Sequence, residues 1–504
     1  MSNAYILAMY DVRGKQEYIY KSNKMKEIIG ASYIIRDCFE DYLYPAAKLC
    51  SEKGLFDYQN VEGNTDFSKE SFEQHLKEGY IGEIVYNGGG NFFVLYKDLE
   101  TYKKVNQYFY RMVLEEMYSL RVLTSYIEGV NFGDYKGDQK KLYEVHRKRE
   151  QKESAIHSVN TLPIVQVDYR SFLPLSKLQQ VGKEKLKVSL ESKQKYRKYE
   201  NIMEKVSADR KVEGERILDN IVTEKGEESL LAVIYIDGNN MGAQVERCLE
   251  GTDGTYEASI KALRTFSSYI QEHYITKRIK DVDKLLQTKD KQKRRFVVYA
   301  GDEITFICNA RHAYEVAVEY LETLAKEEPK DAKRTSCAGI AIFHSHMPFS
   351  EAYRIAEECC ESGKQLMKSL NLKNASLIDF HYCQGAIGTS LEDIREQEEN
   401  TQLSRPWFIR CDKDVSKTHV TKEIIEEMKA QLNKLGRGNI KNLMFSAKRS
   451  EAEFFMELER IKAHQIEKEL DFSLDGKLNE SMQRKLIYDM VIVYDLWFRE
   501  RKRS

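Results

Sequence analysis

The stretch that decides the fold is VVYAGDEITFIC, residues 297–308, in which two apolar runs flank a short polar turn. Apolar runs on both sides of a glycine-containing turn predict a β-hairpin. The turn carries Asp302 and Glu303 side by side. Two carboxylates at the tip of a buried hairpin are costly to desolvate without a partner. A bound cation would offset that cost, so this turn is a candidate metal site; an ordinary Gly-Asp hairpin turn is the alternative.

A matching carboxylate, Asp237, ends the apolar run SLLAVIYID at residues 229–237. In a ferredoxin-like sheet the first strand and the central hairpin are neighbours, so we expect Asp237 to lie near Asp302. Carboxylates on rigid strands are the hard oxygen ligands that Mg²⁺ prefers. We therefore predict two Mg²⁺ or Mn²⁺ ions, held by Asp237, Asp302, Glu303 and the backbone carbonyl of Ile236, with the three carboxylates as the catalytic residues.

Phosphate-binding features surround these carboxylates. The residues after Asp237 are Gly238-Asn239-Asn240-Met241-Gly242, and we expect them to begin a helix, whose N-terminal N–H groups favour anions. Lys364 and Lys368 lie one helical turn apart on one face; two solvated lysines are the alternative. The predicted nucleotide-binding residues here are Gly238, Asn239, Asn240, Gly301, Lys364 and Lys368.

The order of elements predicts an α/β (α+β) fold. Residues 229–400 alternate strand, helix, hairpin, helix and strand, which is the split βαβ, ferredoxin-like arrangement extended by one unit. An internal repeat follows, because residues 1–126 contain the same strand, helix and hairpin. Residues 127–228 are Lys- and Glu-rich and are predicted to form a connecting polar helical subdomain. We expect residues 401–504 to be helical throughout.

The two copies differ at the hairpin turn. In place of Asp302 and Glu303, the first copy has only glycines and an amide, Gly88, Gly89, Gly90 and Asn91. Because this turn lacks carboxylates, we expect the chemistry in the second copy.

Composition excludes several classes of protein. The 504 residues carry 79 basic and 80 acidic side chains, so global charge identifies no partner. No apolar run approaches the roughly 18 residues of a membrane span, and we expect neither a membrane segment nor a signal peptide. The nine cysteines form no CxxC motif, so zinc and disulfides are not expected and a reduced cytoplasm fits best.

Several motifs resemble those of known proteins. The pairing of YIDGNNMG, residues 235–242, with YAGDEITF, residues 299–306, resembles the palm domains of GGDEF nucleotidyl cyclases. It resembles more closely the large polymerase/cyclase subunit of type III CRISPR effector complexes. The N-terminal stretch from YILAMYDVRGK to GASYIIRD resembles that subunit's first palm, and AEECCESGKQLMKSLN, SLIDFHYCQGAIG and SRPWF resemble later segments. The likeness covers most of the chain and is weakest over residues 127–228.

The resemblance implies two palm domains. The first is non-catalytic, and the turn Gly88, Gly89, Gly90 and Asn91 fits a regulatory or second-nucleotide role. The second joins ATP molecules into cyclic oligoadenylates, a second messenger in antiviral defence, with metals on Asp237, Asp302 and Glu303. The implied partners are ATP, guide and target RNA and other type III CRISPR subunits.

The sequence departs from the family pattern at three positions. Ala300 replaces a glycine, Glu303 replaces an aspartate, and Asn239 stands where a second aspartate is common. No His-Asp dipeptide occurs, so the family's HD nuclease domain is not expected. Two alternatives remain: a catalytically weakened RNA-binding scaffold, which Asn239 favours, and a free-standing cyclic dinucleotide synthase that acts as a homodimer.

Overall fold

The computed structural model describes residues 4–22, 24–60, 65–88, 91–152, 164–169, 171–181, 184–207, 221, 230–290, 294–326, 335–385, 388–398, 403–465 and 469–500. The chain divides into two compact units. Unit 1 comprises residues 1–215, 241–275 and 300–302, and unit 2 comprises residues 216–240, 276–299 and 303–504. The two units are therefore interleaved along the chain.

Unit 1 is built on a five-stranded sheet of order β2-β3-β4-β1-β5. Its strands are β1 (Ile6–Arg13), β2 (Leu55–Phe56), β3 (Gly82–Gly88), β4 (Asn91–Tyr96) and β5 (Arg121–Glu128). The first strand, β1, is buried over seven consecutive residues and pairs antiparallel with both β4 and β5. Burial on both faces explains why this strand shows a continuous apolar run rather than alternation.

Helices and a small hairpin complete unit 1. They are α1 (Lys15–Ile19), α2 (Met25–Arg36), α3 (Tyr44–Lys48), α4 (Lys69–Lys77), α5 (Leu99–Glu116), α6 (Tyr135–Glu150), the hairpin β6 (Leu175–Val181) and β7 (Glu184–Ser189), and α7 (Leu190–Ser207), followed later in the chain by α8 (Met241–Glu250) and α9 (Tyr256–Ile270). Asp98 and Asp134 cap α5 and α6, because each carboxylate accepts a backbone N–H of the first turn.

Unit 2 is built on a six-stranded sheet of order β13-β12-β11-β8-β10-β9. Its strands are β8 (Leu230–Gly238), β9 (Arg294–Ala300), β10 (Glu303–Asn309), β11 (Ser336–His344), β12 (Ala375–Tyr382) and β13 (Trp407–Cys411). Its helices are α10 (Lys277–Asp290), α11 (Ala313–Lys326), α12 (Phe349–Ser369), α13 (Leu391–Glu398), α14 (Lys422–Asn433), α15 (Arg437–Arg449), α16 (Glu451–His464) and α17 (Glu480–Ile492). None of the described helices is long and apolar enough to cross a membrane.

The predicted fold class and the internal repeat are confirmed. Each sheet places its first strand between the second hairpin strand and a later strand, β4-β1-β5 in one and β10-β8-β11 in the other. The expectation that residues 401–504 are helical throughout is wrong, because Trp407–Cys411 form β13, which pairs with β12. Buried Trp407 and Phe408 fill the sheet edge, which outweighs the helical pattern that surrounds them. The domain boundaries drawn from sequence stay a prediction.

A buried arginine fixes α9 in unit 1. Arg264 is fully buried and its guanidinium forms an ion pair with the buried carboxylate of Glu83 at 3.0 Å. It also donates to three backbone carbonyls, those of Val85 at 3.0 Å, Asp66 at 2.7 Å and Ile84 at 2.6 Å. A buried charge is tolerated when its donors are satisfied in this way, so the guanidinium specifies where α9 packs.

We predict that Arg264→Met destabilises the protein by about 3–5 kcal/mol, because it leaves the buried Glu83 carboxylate without its guanidinium and with the His75 imidazole, 2.9 Å away, as its remaining described partner. Urea unfolding measures the effect, and the double variant Arg264→Met, Glu83→Gln should recover part of the loss. Arg111→Met is the control, because Arg111 pairs with Glu115 on the exposed face of α5 and surface pairs contribute little. Equal shifts in both single variants would contradict the assigned role.

Candidate functional site

The candidate site lies at the end of β8. This strand is buried over the seven residues Leu230–Ile236 and pairs on both sides, with β10 and with β11. Its last carboxylate, Asp237, keeps 25% of its side chain exposed. A rigid strand therefore delivers one partly exposed carboxylate to the edge of the sheet.

The register of β10 brings the hairpin to the same place. Ile304 lies opposite Ile236, so the next pair outward in this antiparallel ladder is Glu303 with Asp237. Directly opposed residues share one face of a sheet, and Asp302 precedes Glu303 in the turn. Gly301 has φ 65°, a left-handed conformation that favours glycine, which explains the Gly-Asp order of this turn.

Close packing of α12 on the sheet positions Lys364. A Cβ at Gly339 of β11 would lie 1.8 Å from the backbone oxygen of Ala356, so only glycine admits α12 at this distance. Further along the helix, the Lys364 ammonium contacts the Asp237 carboxylate and donates to the Gly238 carbonyl at 3.1 Å. Burial lowers the pKa of Lys364, but the Asp237 carboxylate outweighs it and the pKa is raised overall. The ammonium therefore stays charged at neutral pH.

Glu303 lies on the same side of the sheet as α12. The hydroxyl of Tyr353, on that helix, donates to the Glu303 carboxylate at 3.3 Å, and the ring of Tyr353 packs edge-on against Tyr235 of β8. Burial raises the pKa of Tyr235, and the carboxylates of Glu303 and Asp237 raise it further. The phenol is therefore protonated at neutral pH, and two carboxylates converge on this corner.

The Asn239 side chain bonds within the domain, and its predicted nucleotide contact stays a prediction. Its side chain is buried, and its amide donates to the Thr335 hydroxyl and the Ala375 carbonyl, both at 2.9 Å. Its backbone N–H donates to the Thr335 carbonyl at 2.8 Å. These three hydrogen bonds hold the end of β8 against the residue before β11 and the first residue of β12.

The other predicted contact residues are exposed or lie elsewhere. Asn240 is exposed with φ 55°, and α8 begins at the next residue, as expected. Lys368 is exposed one turn beyond Lys364. Gly88 and Asn91 end β3 and begin β4, opposite each other, whereas Gly89 and Gly90 lie outside the described residues. Ile236 lies within the β8 ladder, opposite Ile304 and Ala338.

Unit 1 contains a carboxylate that the sequence analysis missed. Asp11 lies near the end of β1, as Asp237 does on β8, and the Arg13 guanidinium is 2.6 Å from it. His146 of α6 is 3.4 Å from the same carboxylate oxygen and 3.1 Å from the Ser125 hydroxyl. The signal was available in YDVR, where a carboxylate ends the first strand. Here an arginine and a histidine take the place of the single lysine of unit 2.

The Asp237 carboxylate and the Gly238 carbonyl already contact a cation, the Lys364 ammonium. Among the described residues, no group of three or more His, Cys, Asp and Glu side chains converges as a metal cluster. The oxygens of Asp237 and Gly238 nevertheless bind one cation, the Lys364 ammonium, and hard oxygen donors of this kind suit Mg²⁺. The predicted pair of ions stays a prediction.

Comparison with known families identifies this region. Residues 230–375 match the family described as the second palm domain of Cas10/Cmr2. This segment is similar to that palm domain. Asp237, Asp302, Glu303 and Lys364 all lie within the matched residues. The resemblance to a palm-domain subunit of type III CRISPR complexes is thereby confirmed.

Solved structures show the same fold over nearly the whole chain. A Csm1 from T. onnurineus superposes with a TM-score of 0.53 at 13% identity, covering 99% of this chain and 70% of that one. A Csm1–Csm4 cassette in complex with pppApA superposes with a TM-score of 0.54 at 11% identity, covering 97% and 69%. The cassette with AMPPNP gives 0.52 at 11% identity, covering 97% and 70%. No curated protein is detectably similar to the chain in sequence.

A buried histidine on β12, His381, predicts that the stability of the protein depends on pH. Burial, together with the charges of Arg405 and Arg395, lowers the pKa of His381 from 6.5 to about 3. The unfolded chain therefore takes up a proton that the folded protein excludes, and stability falls as the pH decreases from about 6.5 towards about 3. We expect His381→Gln to lose this part of the pH dependence, measured as urea midpoints across that range. Parallel profiles for the two proteins would contradict it.

Proposed function

We propose that the chain is a nucleotidyltransferase that converts ATP into cyclic oligoadenylates as part of a type III CRISPR antiviral system. The observation that carries the proposal is the cation position at the end of β8, beside the AGDE hairpin, in a Cas10-type palm domain. In this proposal Asp237, Asp302 and Glu303 hold Mg²⁺ or Mn²⁺. No ligand set of this kind is needed for a palm that only holds RNA.

The Lys364 contact refines the proposed ligands. Its ammonium lies against the Asp237 carboxylate and the Gly238 carbonyl, so these two oxygens are arranged around one positive charge. We therefore assign the backbone ligand to the Gly238 carbonyl rather than to that of Ile236, which lies inside the ladder. A metal ion bound at these oxygens would require the ammonium to move, and a nearby phosphate would receive it.

The chemistry follows from this arrangement. Metal ions held by Asp237, Asp302 and Glu303 would supply Lewis-acid chemistry for the attacking 3′-hydroxyl and the leaving pyrophosphate. Lys364, freed from Asp237, binds a phosphate oxygen as a point charge. The Tyr353 hydroxyl donates to the Glu303 carboxylate and keeps it in place.

The solved relatives suggest partners. Two of them are Csm1–Csm4 cassettes, one in complex with AMPPNP and one in complex with pppApA. We propose by analogy that this chain binds ATP and assembles with other type III CRISPR subunits and with guide and target RNA. The charge balance of the chain gives no independent argument for RNA.

The proposal predicts that both carboxylate positions are required for synthesis. We expect Asp302→Ala and Asp237→Asn each to lower product formation from radiolabelled ATP and Mn²⁺ more than about 100-fold, the scale for losing a group that stabilises transition-state charge. Products are resolved by mass, in the presence of candidate subunits and target RNA. Asp414→Ala is the control, because Asp414 is exposed and its carboxylate accepts bonds only from nearby Ser416 among the described residues.

Unchanged synthesis in Asp302→Ala would overturn the proposal. ATP binding without turnover in the wild-type protein, under all these conditions, would instead favour the RNA-binding scaffold. A cyclic dinucleotide from a homodimer without RNA would favour the free-standing synthase.

A second prediction concerns Lys364 itself. We expect Lys364→Met to bind Mn²⁺ more tightly in the absence of nucleotide, because no ammonium competes for the Asp237 carboxylate. The same variant should bind ATP more weakly in the presence of Mg²⁺, because a phosphate contact is lost. Electron paramagnetic resonance follows the free Mn²⁺ and calorimetry measures ATP. Lys448→Met is the control, because it removes the same charge from an exposed position on α15. Weaker Mn²⁺ binding in Lys364→Met would contradict the model.

A further inference from the structure

A cavity lies in unit 1, at the edge of the first sheet that β5 forms. It has a volume of about 440 Å³ and lies between α5, β5 and the end of α6. In the second sheet the strand that corresponds to β5 is β11, and it pairs with a further strand, β12. Within the described residues β5 has no such neighbour, so the edge that a strand covers in one sheet borders a cavity in the other.

One wall of the cavity is apolar and aromatic. It includes Val113 and Leu114 of α5, and Leu114 keeps 55% of its surface exposed. Tyr110 and Tyr118 add two aromatic rings. The Tyr110 hydroxyl lies within hydrogen-bond distance of the Val122 carbonyl, at 3.1 Å, and of the Thr124 hydroxyl, at 3.0 Å, which fixes this ring against β5. A rigid aromatic surface of this kind suits a flat ring that stacks on it.

The other side of the cavity is positively charged. Arg121, Arg149 and Lys152 line it, and none of the lining residues is acidic. Arg121 also pairs with Glu17 at 3.2 Å on the exposed surface. In the described part of the chain, no salt bridge involves Arg149 or Lys152, and both are exposed. Their charge is therefore available to an anion, and guanidinium groups match the geometry of phosphate oxygens.

Basic residues at the C-terminal end of a helix also interact favourably with the helix dipole. Arg147 and Lys148 do so on the same turn of α6 without lining the cavity. The helix dipole therefore accounts for the positive charge at this end of α6. It does not account for the apolar, aromatic cavity beside Arg149 and Lys152. The aromatic wall, the basic side chains and the volume of this cavity together suit a ligand that has both a ring and an anionic group.

We propose that this cavity binds a nucleoside phosphate, with the base on the Tyr110 and Tyr118 rings and the phosphate at Arg149 and Lys152. The volume lies within the 300–1,000 Å³ that is usual for small-molecule sites. The nucleotide is either a free mononucleotide or one unit of a single-stranded RNA, because both present the same base and phosphate. The site is distinct from the palm carboxylates and does not depend on the function proposed for them.

Metal dependence separates the two sites. The cavity binds phosphate through side-chain cations and has no carboxylate to hold a metal ion, so its affinity should persist in excess EDTA. The palm site needs a divalent ion by the proposal above. Binding measured in EDTA therefore reports on the cavity alone, and its failure leaves the proposed catalytic function untouched.

The test is calorimetry on the full chain in excess EDTA with three separate probes: AMP, ATP and a single-stranded oligoadenylate RNA. We expect Arg149→Glu, Lys152→Glu to weaken binding more than about tenfold, because two charge-assisted contacts are lost. Arg147→Glu, Lys148→Glu is the matched control, with the same change in charge on the same turn. Leu114→Trp, which fills the cavity without changing charge, should also weaken binding. Circular dichroism checks that each variant is folded.

The outcomes are decisive. Weaker nucleotide binding in Arg149→Glu, Lys152→Glu and in Leu114→Trp, with unchanged binding in the control, supports the site. Whichever of the mononucleotide and RNA probes binds more tightly then identifies the source of the nucleotide. Equal weakening in both charge-reversal variants would show non-specific attraction and overturn the proposal. No binding of any probe to the wild-type protein in EDTA would overturn it as well.

Discussion

The register of β8 is the constraint on which the candidate site depends. The strand is buried for seven consecutive residues and is hydrogen-bonded on both sides, so its position relative to β10 and β11 cannot drift without breaking two ladders. A slip of one residue would turn the Asp237 side chain to the opposite face. It would then face away from Lys364 and from Glu303. Gly339 adds to this constraint, because it alone lets α12 approach closely enough to deliver Lys364.

A network of buried charged side chains joins helix α17 to the sheet of unit 2. The carboxylates of Asp379 on β12 and Asp489 on α17 are fully buried. Arg405, just before β13, lies 3.2 Å from Asp489 and 3.6 Å from Asp379, and Arg395 donates to Asp379 at 2.8 Å. Such networks cost desolvation free energy and are justified where they specify one arrangement. Here they connect a C-terminal helix to the sheet edge that β13 completes.

Much of the fold could be predicted from the sequence, because local signals agreed with the final structure. Asp237 and the AGDE turn were detectable since a carboxylate at the end of an apolar run is unusual, and the strand order follows from the ferredoxin-like pattern. The strand Trp407–Cys411 was missed because it is short and surrounded by helices, and only tertiary burial makes it a strand. The role of Asn239 and the choice of the Gly238 carbonyl depend on hydrogen bonds across distant segments, which no local pattern encodes. Likewise, nothing local indicates that α9 belongs to unit 1.

The interleaving of the two units has a consequence for synthesis on the ribosome. Glu83 and the Arg264 that neutralises it are separated by 181 residues. At about 5–20 residues per second, roughly 10–40 s pass between the translation of the two. During that interval the first sheet exists without its last helix, and the carboxylate of Glu83 has no guanidinium. Until α9 has left the exit tunnel, the only described side-chain partner that Glu83 can have is therefore the earlier-made His75, which lies 2.9 Å from it in the folded protein.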